Sequence, residues 1–171
     1  MEIRRVKIEE LKKVMEVIND AKAFLKLQSQ QWQQGYPNEE SMSKDILNHN
    51  LFGVYVNGEL TCVAALIIGI EKTYVNMVEG KWNIEVSNLD LVIHRIAVLE
   101  KYRGYGCAKR MMEFAYKYAK DNNCKSIKVD THRVNKPMQN LLLRNGYTYQ
   151  GVIDLNRNEE DQLRLAYELV T

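Results

Sequence analysis

The sequence has few cysteines, little proline and no long apolar run. Its three cysteines, Cys62, Cys107 and Cys124, are odd in number and widely spaced, unlike a disulfide framework or a zinc site. We therefore expect a reducing, cytoplasmic location. No apolar run approaches the ~20 residues that span a bilayer, and charges interrupt the N-terminal segment. We expect neither a signal peptide nor a membrane partner.

An excess of charge of one sign is also missing. The 24 basic and 22 acidic residues nearly cancel to a formal net charge of +2, and no block of five residues is purely basic. We therefore expect no nucleic-acid partner. A hydrophobic share of 46%, a charged share of 27% and only two prolines are typical of an ordered globular protein. A chain of 171 residues fits one domain, residues 1–171.

Apolar spacing in the first half predicts a strand, two helices and a hairpin. EIRRVKI predicts the first strand, and apolar residues at every third or fourth position over residues 9–25 predict an amphipathic helix. After a polar segment, SMSKDILNH predicts a second helix capped by Ser41. LFGVYV and LTCVAALIIGI flank Asn57-Gly58, a pair favoured in type I′ turns, and predict an antiparallel hairpin.

The second half predicts a parallel pair of strands. EKTYVNMVEGKWNIEVSN allows no assignment beyond a long connection, whereas LDLVIHRIAV predicts a strand covered on both faces. A helix over residues 106–122 and the strand SIKVD follow, an order that predicts a parallel pair with a right-handed crossover. NKPMQNLLLRNGY predicts a helix with Pro137 in its first turn and Gly146 at C′, and YTYQG is extended. QLRLAYELV alternates apolar and polar residues and predicts a half-exposed antiparallel strand.

Two glycines, Gly104 and Gly106, separate the apolar strand from the helix in KYRGYGCAKRMMEFAYKYAK. Such a pair is common in a tight turn. Here an arginine precedes it, small residues follow it and a helix begins at once, so several backbone N–H groups would converge on one point and suit an anion such as a pyrophosphate. No Gly-Lys-Ser/Thr ends the run, and Lys109 stands at the third glycine position of the dinucleotide fingerprint. The pattern is therefore neither a P-loop nor that fingerprint.

These residues resemble the GNAT superfamily of acyl-coenzyme A dependent N-acyltransferases. HRIAV and the run Arg103 to Ala108 are similar to the family's strand ending and its Arg/Gln-x-x-Gly-x-Gly/Ala motif. SIKVD, Asn135 and Gly146-Tyr147 are similar to the next strand, the helix-heading Asn and the closing Gly-aromatic pair. The resemblance is strong over residues 89–151 and loose elsewhere. It implies one GNAT-like α/β (α+β) domain, with a central mixed, mostly antiparallel sheet that contains a splayed parallel pair and is flanked by helices.

The resemblance also implies acetyl-coenzyme A as the co-substrate and no metal. The pantetheine arm would pair with a strand backbone, the pyrophosphate would lie on the amides of the glycine loop, and an Asn would reach the cofactor from the next helix. The implied cofactor-binding residues are Ile96, Ala97, Val98, Arg103, Gly104, Tyr105, Gly106, Cys107, Ala108 and Asn135. An acceptor amine would attack the thioester directly, and a strand amide near Ala97 or Val98 would stabilise the oxyanion.

A base must remove a proton from the acceptor ammonium, directly or through water. The candidates are His94 on the implied fourth strand, and Asp130 and His132 at the end of the fifth. A core histidine and a turn-capping aspartate are the structural alternatives. We favour His94 slightly, because an imidazole is half deprotonated near neutral pH.

The sequence departs from the family where many members carry a tyrosine that protonates the departing thiolate. The aligned residue is Leu142, with Tyr147 and Tyr149 nearby. A thiol's pKa is only about 8.5, so the loss need not abolish turnover. Cys107 lies at a helix N-terminus, which would favour a covalent acyl-enzyme, but the phosphates would occupy that position, and we expect it to pack.

The sequence indicates the residues of the acceptor pocket less clearly than those of the cofactor site. Gln31, Trp32 and Tyr36, with Pro37, lie where the family's first helices and their loop form one wall of that pocket, although Trp32 could instead tuck under its own loop. The implied acceptor is a primary amine of a small molecule or of a protein or peptide, and a homodimer is compatible with the sequence. The alternatives are a non-catalytic acyl-coenzyme A binding module, motivated by Leu142, and a nicotinamide dinucleotide protein, which rests only on the glycines.

Overall fold

A computed structural model describes residues 1–29, 31–157 and 161–171. They group into two units, Met1–Leu66 with His94–Phe114, and Ile67–Ile93 with Ala115–Thr171. The strands are β1 (Glu2–Arg5), β2 (Leu51–Val56), β3 (Glu59–Ile68), β4 (Met77–Gly80), β5 (Asp90–Val98), β6 (Ser126–Thr131), β7 (Thr148–Asp154) and β8 (Leu163–Val170). The helices are α1 (Leu11–Lys26), α2 (Glu39–Leu47), α3 (Cys107–Asp121) and α4 (Lys136–Arg144).

The first unit contains the antiparallel run β1, β2 and β3. Asn57 and Gly58 join the last two strands with φ values of 49° and 81°, the left-handed backbone that a type I′ turn requires at both positions. The predicted hairpin is therefore confirmed. In α1, Val14 and Ile18 are fully buried one turn apart, as the predicted amphipathic spacing requires.

Helix α2 begins earlier than the sequence predicts. Asn38 is the N-cap, because its Oδ1 accepts the Ser41 N–H at 2.9 Å while Ser41 Oγ accepts the Asn38 N–H at 2.9 Å. This reciprocal pair is a capping box, in which two helix-end donors are satisfied at once. The prediction that Ser41 is the cap was therefore wrong by one turn, since Ser41 is the third residue of the helix.

The second unit contains the first part of β5, up to Ile93, followed in the order of the sheet by β6, β8, β7 and β4. β5 and β6 run parallel, and the other neighbouring pairs in this unit are antiparallel. The structure confirms the predicted fold class: a mixed and mostly antiparallel sheet with one parallel pair, flanked by helices. The splaying of that pair and the single domain over residues 1–171 stay predictions. The connection without a sequence assignment contains a 3-10 turn at Lys72–Tyr74 and then β4.

Strand β8 is antiparallel, as expected, but the prediction that it is half exposed on its polar side was wrong. Glu168 is 1% exposed, whereas Leu163 is 45% exposed. The Glu168 carboxylate accepts the N–H groups of Asn83 and Ile84 at 2.7 and 3.2 Å, and it lies 3.4 Å from the Lys128 Nζ. Buried hydrogen bonds and charge pairing therefore replace the solvent that the alternation predicts on this face.

Lys128 is also fully buried, in the middle of β6. Its Nζ donates to Asp90 Oδ1 at 2.9 Å and to Ser126 Oγ at 2.6 Å, and it lies 5.3 Å from the centre of the Trp82 ring. We call Asp90, Ser126, Lys128 and Glu168 the buried charge network.

In the described residues, no helix is long and apolar enough to cross a membrane.

Candidate functional site

The glycine loop connects the end of β5 to the start of α3. A 3-10 turn at Glu100–Tyr102 leads into Gly104 and Gly106, whose φ values are 85° and 83°. A Cβ built on either glycine would meet nothing within 4 Å, so the backbone conformation, and not crowding, requires glycine here. The same open space leaves room in front of the loop for a ligand.

The first turn of α3 supplies donors at this loop. The Arg110 N–H donates to Gly106 O at 2.9 Å, so the earlier amides of Cys107 and Ala108 have no acceptor within the helix. The Tyr105 N–H instead donates to Tyr102 O at 3.2 Å, inside the loop. The positive end of the helix dipole adds to these first-turn donors. The arrangement suits an anion at Gly106–Ala108 better than at Tyr105.

Arg103 connects the glycine loop to α1. Its guanidinium lies 4.4 Å from the centre of the Phe24 ring, and Nη2 lies 3.7 Å from Asp20 Oδ1. Asp20 Oδ2 also accepts the Glu100 N–H at 2.6 Å. These contacts hold the Arg103 side chain at the entrance of the loop. A direct role of Arg103 in cofactor binding stays a prediction.

The backbone of β5 departs from the extended conformation at Arg95, where φ is 53°. His94 precedes this kink and is half-buried, and the predicted pantetheine strand, Ile96–Val98, follows it. The Arg95 Nη1 donates to the Tyr36 hydroxyl at 2.6 Å. The structure therefore brings together a residue of the predicted acceptor wall and the residue next to a candidate base.

The other acceptor-wall residues lie in the loop that precedes α2. Trp32 is half-buried with a φ of 64°, and Gln33 Nε2 donates to Lys22 O and Gln31 O at 3.0 and 3.1 Å. Gln31 Oε1 is buried and has no hydrogen-bond partner among the described residues. The loop is thus bonded to α1, and both interpretations of Trp32 stay open.

Asp130 at the end of β6 is held by a buried tyrosine that the sequence gave no reason to single out. The hydroxyl of Tyr74 donates to Asp130 Oδ1 at 2.5 Å. Burial, and then the neighbouring Asp130 charge, raise the pKa of the Tyr74 phenol, so it stays protonated and donates. The Tyr74 carbonyl accepts the Trp82 Nε1–H at 2.8 Å, which fixes the tyrosine in turn.

We expect Tyr74→Phe to lower the free energy of unfolding by about 1.5–3 kcal/mol, because a half-buried carboxylate loses its donor. Urea denaturation measures this loss. Tyr116→Phe is the matched control: its ring is 41% exposed on α3, and we expect a change within about 0.5 kcal/mol. Equal losses in the two variants would contradict a structural role of the Tyr74 hydroxyl.

His132 uses both ring nitrogens. The Val134 N–H donates to Nδ1 at 3.2 Å, so the ring proton is on Nε2, which lies 2.8 Å from Asp161 Oδ2. Burial is the main cause that lowers the pKa of His132, and it favours the neutral form of the ring. As a base, His132 would have to give up the bond to Val134. Its role stays a prediction, but the geometry favours the other two candidates.

Asn135 is the N-cap of α4. Its Oδ1 accepts the Met138 N–H at 3.2 Å, and the side chain of Gln139 bonds the preceding turn through the carbonyls of His132 and Arg133. Capping uses the oxygen of the Asn135 side chain, so its NH₂ group is the part that can donate to a cofactor. That contact stays a prediction.

Residues 16–147 match the sequence model of the family described as "Acetyltransferase (GNAT) family". The chain belongs to the GNAT acetyltransferase family. A GNAT-family acetyltransferase from Streptococcus agalactiae is 32% identical, with a TM-score of 0.87, and the match covers 99% of this chain and 95% of that one. The predicted family and the predicted class of enzyme, an acyltransferase, are confirmed.

More distant GNAT structures show the same fold. A PaiA N-acetyltransferase from Thermoplasma acidophilum in complex with coenzyme A is 15% identical, with a TM-score of 0.73 and coverage of 99% and 98%. The ribosomal-protein-S18-alanine N-acetyltransferase from Escherichia coli is 12% identical, with a TM-score of 0.69 and coverage of 99% and 92%. No curated protein sequence matches the chain.

Leu142, the residue that the resemblance aligns with the family's acid tyrosine, is fully buried in α4. Tyr147 is buried too, its hydroxyl has no partner among the described residues, and burial raises its pKa. Tyr149 is 51% exposed, with its ring edge-on to Tyr167 at 5.7 Å.

Cys107 is buried at the start of α3, with the Thr61 hydroxyl 3.4 Å from its Sγ. This contact agrees with the expectation that the thiol packs in the interior of this GNAT protein. Within the described part of the chain, no cluster of three or more His, Cys, Asp or Glu side chains is placed to hold a metal.

Two residues that shape the site, Tyr74 and Asp45, were not predicted from the sequence. Tyr74 lies in the connection that shows no periodicity. Asp45 accepts two hydrogen bonds from the Arg95 guanidinium, but in the sequence it is an ordinary polar residue of a short helix. Outside the site, Lys128 does give a signal in the sequence, because a lysine inside the apolar strand SIKVD requires a buried partner. The kink at Arg95 gave none, since arginine has no preference for left-handed backbone.

Proposed function

We propose that this GNAT protein transfers an acetyl group from acetyl-coenzyme A to a primary amine of a small molecule or a protein, by direct attack of the amine. The observation that supports this most is the glycine loop: Gly104 and Gly106 in left-handed backbone, followed at once by the first turn of α3. The open space before the loop and the first-turn amides fit a pyrophosphate. Acetyl-coenzyme A supplies an acyl group activated as a thioester.

The backbone of Ile96–Val98 would hold the pantetheine arm by edge pairing. An amide of Ala97 or Val98 would donate to the oxygen on which negative charge develops. Such a donor, fixed in advance, is worth more in a partly desolvated site than in water. Ala97 is buried in β5, which supports this role.

The acceptor must arrive as, or become, a neutral amine, because an ammonium has no lone pair with which to attack. We propose His94 as the base, with Asp130 as the second candidate. His94 is half-buried next to the proposed acyl-binding strand, and Tyr74 fixes the Asp130 carboxylate. No acid is assigned to the departing thiolate, which is a good leaving group at a thiol pKa of about 8.5.

Calorimetry with acetyl-coenzyme A and with coenzyme A, followed by free-thiol release across an amine panel, tests the proposal. Binding with release supports an acetyltransferase and begins to identify the acceptor. Binding without release on any amine would favour the non-catalytic module, for which the family comparison gives no support. No binding would mean that the glycine loop is only a turn.

A glycine variant makes the binding test specific. We expect Gly106→Ala to weaken acetyl-coenzyme A binding at least about 10-fold, because a Cβ strains the left-handed backbone that aims the first-turn amides. Gly58→Ala is the matched control, with a φ of 81° and the same open surroundings in the hairpin turn. It should carry similar strain and keep the wild-type dissociation constant. Equal weakening in both variants would point to general destabilisation.

We also propose a reducing, cytoplasmic location. All three cysteines are buried, and none forms a disulfide. These observations support the proposal, because a disulfide is the usual use of cysteine in an oxidising compartment. A homodimer stays a prediction.

A further inference from the structure

Arg95 connects three segments of the first unit. Its Nε and Nη2 donate to the two carboxylate oxygens of Asp45 at 2.6 and 2.8 Å, and its Nη1 donates to the Tyr36 hydroxyl at 2.6 Å. Arg95 belongs to β5, Asp45 to α2 and Tyr36 to the loop before α2. The Arg95 and Asp45 side chains are only 13% and 8% exposed. In a buried pair of this kind, each charge depends on the other.

The backbone of Arg95 is as unusual as its side chain. A φ of 53° lies in the left-handed region that side chains other than glycine rarely adopt, and here it occurs inside a strand. Such a conformation persists only where the surrounding structure holds it. The two hydrogen bonds to Asp45 hold the guanidinium of this left-handed residue in place.

We propose that Arg95 is a positioning residue that holds the acyl-binding strand Ile96–Val98 and the acceptor-wall residue Tyr36 in a fixed relation. This inference rests on the proposed function. The Arg95 guanidinium maintains the kink before the strand and donates a hydrogen bond to the Tyr36 hydroxyl. Its planar fork makes all three bonds at once, which the single ammonium of lysine cannot reproduce. Asp45 is the anchor on which both effects depend.

The chain contains a matched arrangement in the same unit that lies outside the proposed site. Arg4 Nη1 and Nη2 donate to the two oxygens of Glu10 at 2.9 and 3.0 Å, and the Tyr55 hydroxyl donates to Glu10 Oε1 at 3.0 Å. Arg4 lies in β1, which pairs with β2 in regular antiparallel register. An Arg→Lys substitution there removes a two-pronged ion pair with a tyrosine beside it, without touching the kink in β5.

The test compares Arg95→Lys with Arg4→Lys. Thiol release with the best amine of the panel gives kcat and the acceptor KM, calorimetry gives the acetyl-coenzyme A dissociation constant, and thermal unfolding gives Tm. We expect Arg95→Lys to lower kcat about 10-fold or more and to raise the acceptor KM, because small misplacements of reacting groups are costly. Asp45→Asn should act in the same direction. Arg4→Lys should leave kcat and KM within about twofold of wild type, with a smaller loss of Tm because the Arg4 side chain is 36% exposed.

Tyr36→Phe separates the two effects. It removes only the hydroxyl that Arg95 bonds, so the acceptor KM should rise while kcat stays within about twofold of wild type. If Arg95→Lys does not fold, the isosteric Asp45→Asn carries the comparison with Arg4→Lys. Arg95 and Asp45 variants that match Arg4→Lys in kcat and KM would overturn the positioning role. A wild-type protein that neither binds acetyl-coenzyme A nor releases thiol would instead refute the proposed function.

Discussion

Replacing Lys128 with methionine is expected to lower the free energy of unfolding by about 3–5 kcal/mol. The substitution keeps most of the apolar stem but removes the ammonium that lies 2.9 Å from Asp90 and 3.4 Å from Glu168. Two carboxylates would then remain buried without a cation. Urea denaturation, with the slope and midpoint of the transition, measures the loss.

The control for this prediction is Lys117→Met on α3. Lys117 Nζ lies 2.6 Å from Asp121 Oδ2, but both side chains are mostly exposed, and such a pair contributes only about 0.3–0.5 kcal/mol. A variant that combines Lys128→Met with Asp90→Asn and Glu168→Gln should recover part of the stability, because neutral amides replace the unpaired charges. A loss for Lys128→Met no larger than for Lys117→Met would show that the network does not depend on its cation.

The second large effect concerns the base. We expect His94→Gln to lower kcat about 10²–10⁴-fold, the usual contribution of a general base, while the acetyl-coenzyme A dissociation constant stays close to wild type. Thiol-release kinetics measure kcat, and calorimetry measures the dissociation constant.

Two other variants show whether this assignment is correct. His49→Gln, on an exposed turn after α2, is the histidine control and should leave kcat unchanged. Asp130→Asn keeps the size of the side chain beside Tyr74 and removes only its charge. If Asp130→Asn abolishes turnover while His94→Gln retains most of it, Asp130 is the base and the preference for His94 is wrong.

The sequence predicted best the features that depend on neighbouring residues. The Asn57-Gly58 turn, the glycine loop, and Gly146 at the end of α4 with a φ of 84° all follow from local backbone preferences. The order of strands and helices around α3 follows from apolar periodicity, which is also local. The family motif added the fold, because its spacing runs across several of these elements.

The rest depends on contacts between residues far apart in the sequence. Alternation in β8 predicts an exposed Glu168, but two backbone amides and Lys128 satisfy its charge in the interior. The pairs Tyr74–Asp130 and Arg95–Asp45 likewise become visible only in three dimensions. Burial of a charged side chain requires a partner, but its identity is not written in the residues beside it.

The buried charge network also bears on which strand register the sheet can adopt. Lys128 of β6 and Glu168 of β8 stand directly opposite each other in the antiparallel ladder. A slip of either strand by one residue would turn its side chains to the opposite face, leaving the ammonium and the carboxylate buried on different sides of the sheet. Apolar neighbours such as Ile127 and Val129 would tolerate that exchange far better than the ions would. The charge pair therefore favours the native register of β6 and β8 over a register shifted by one residue.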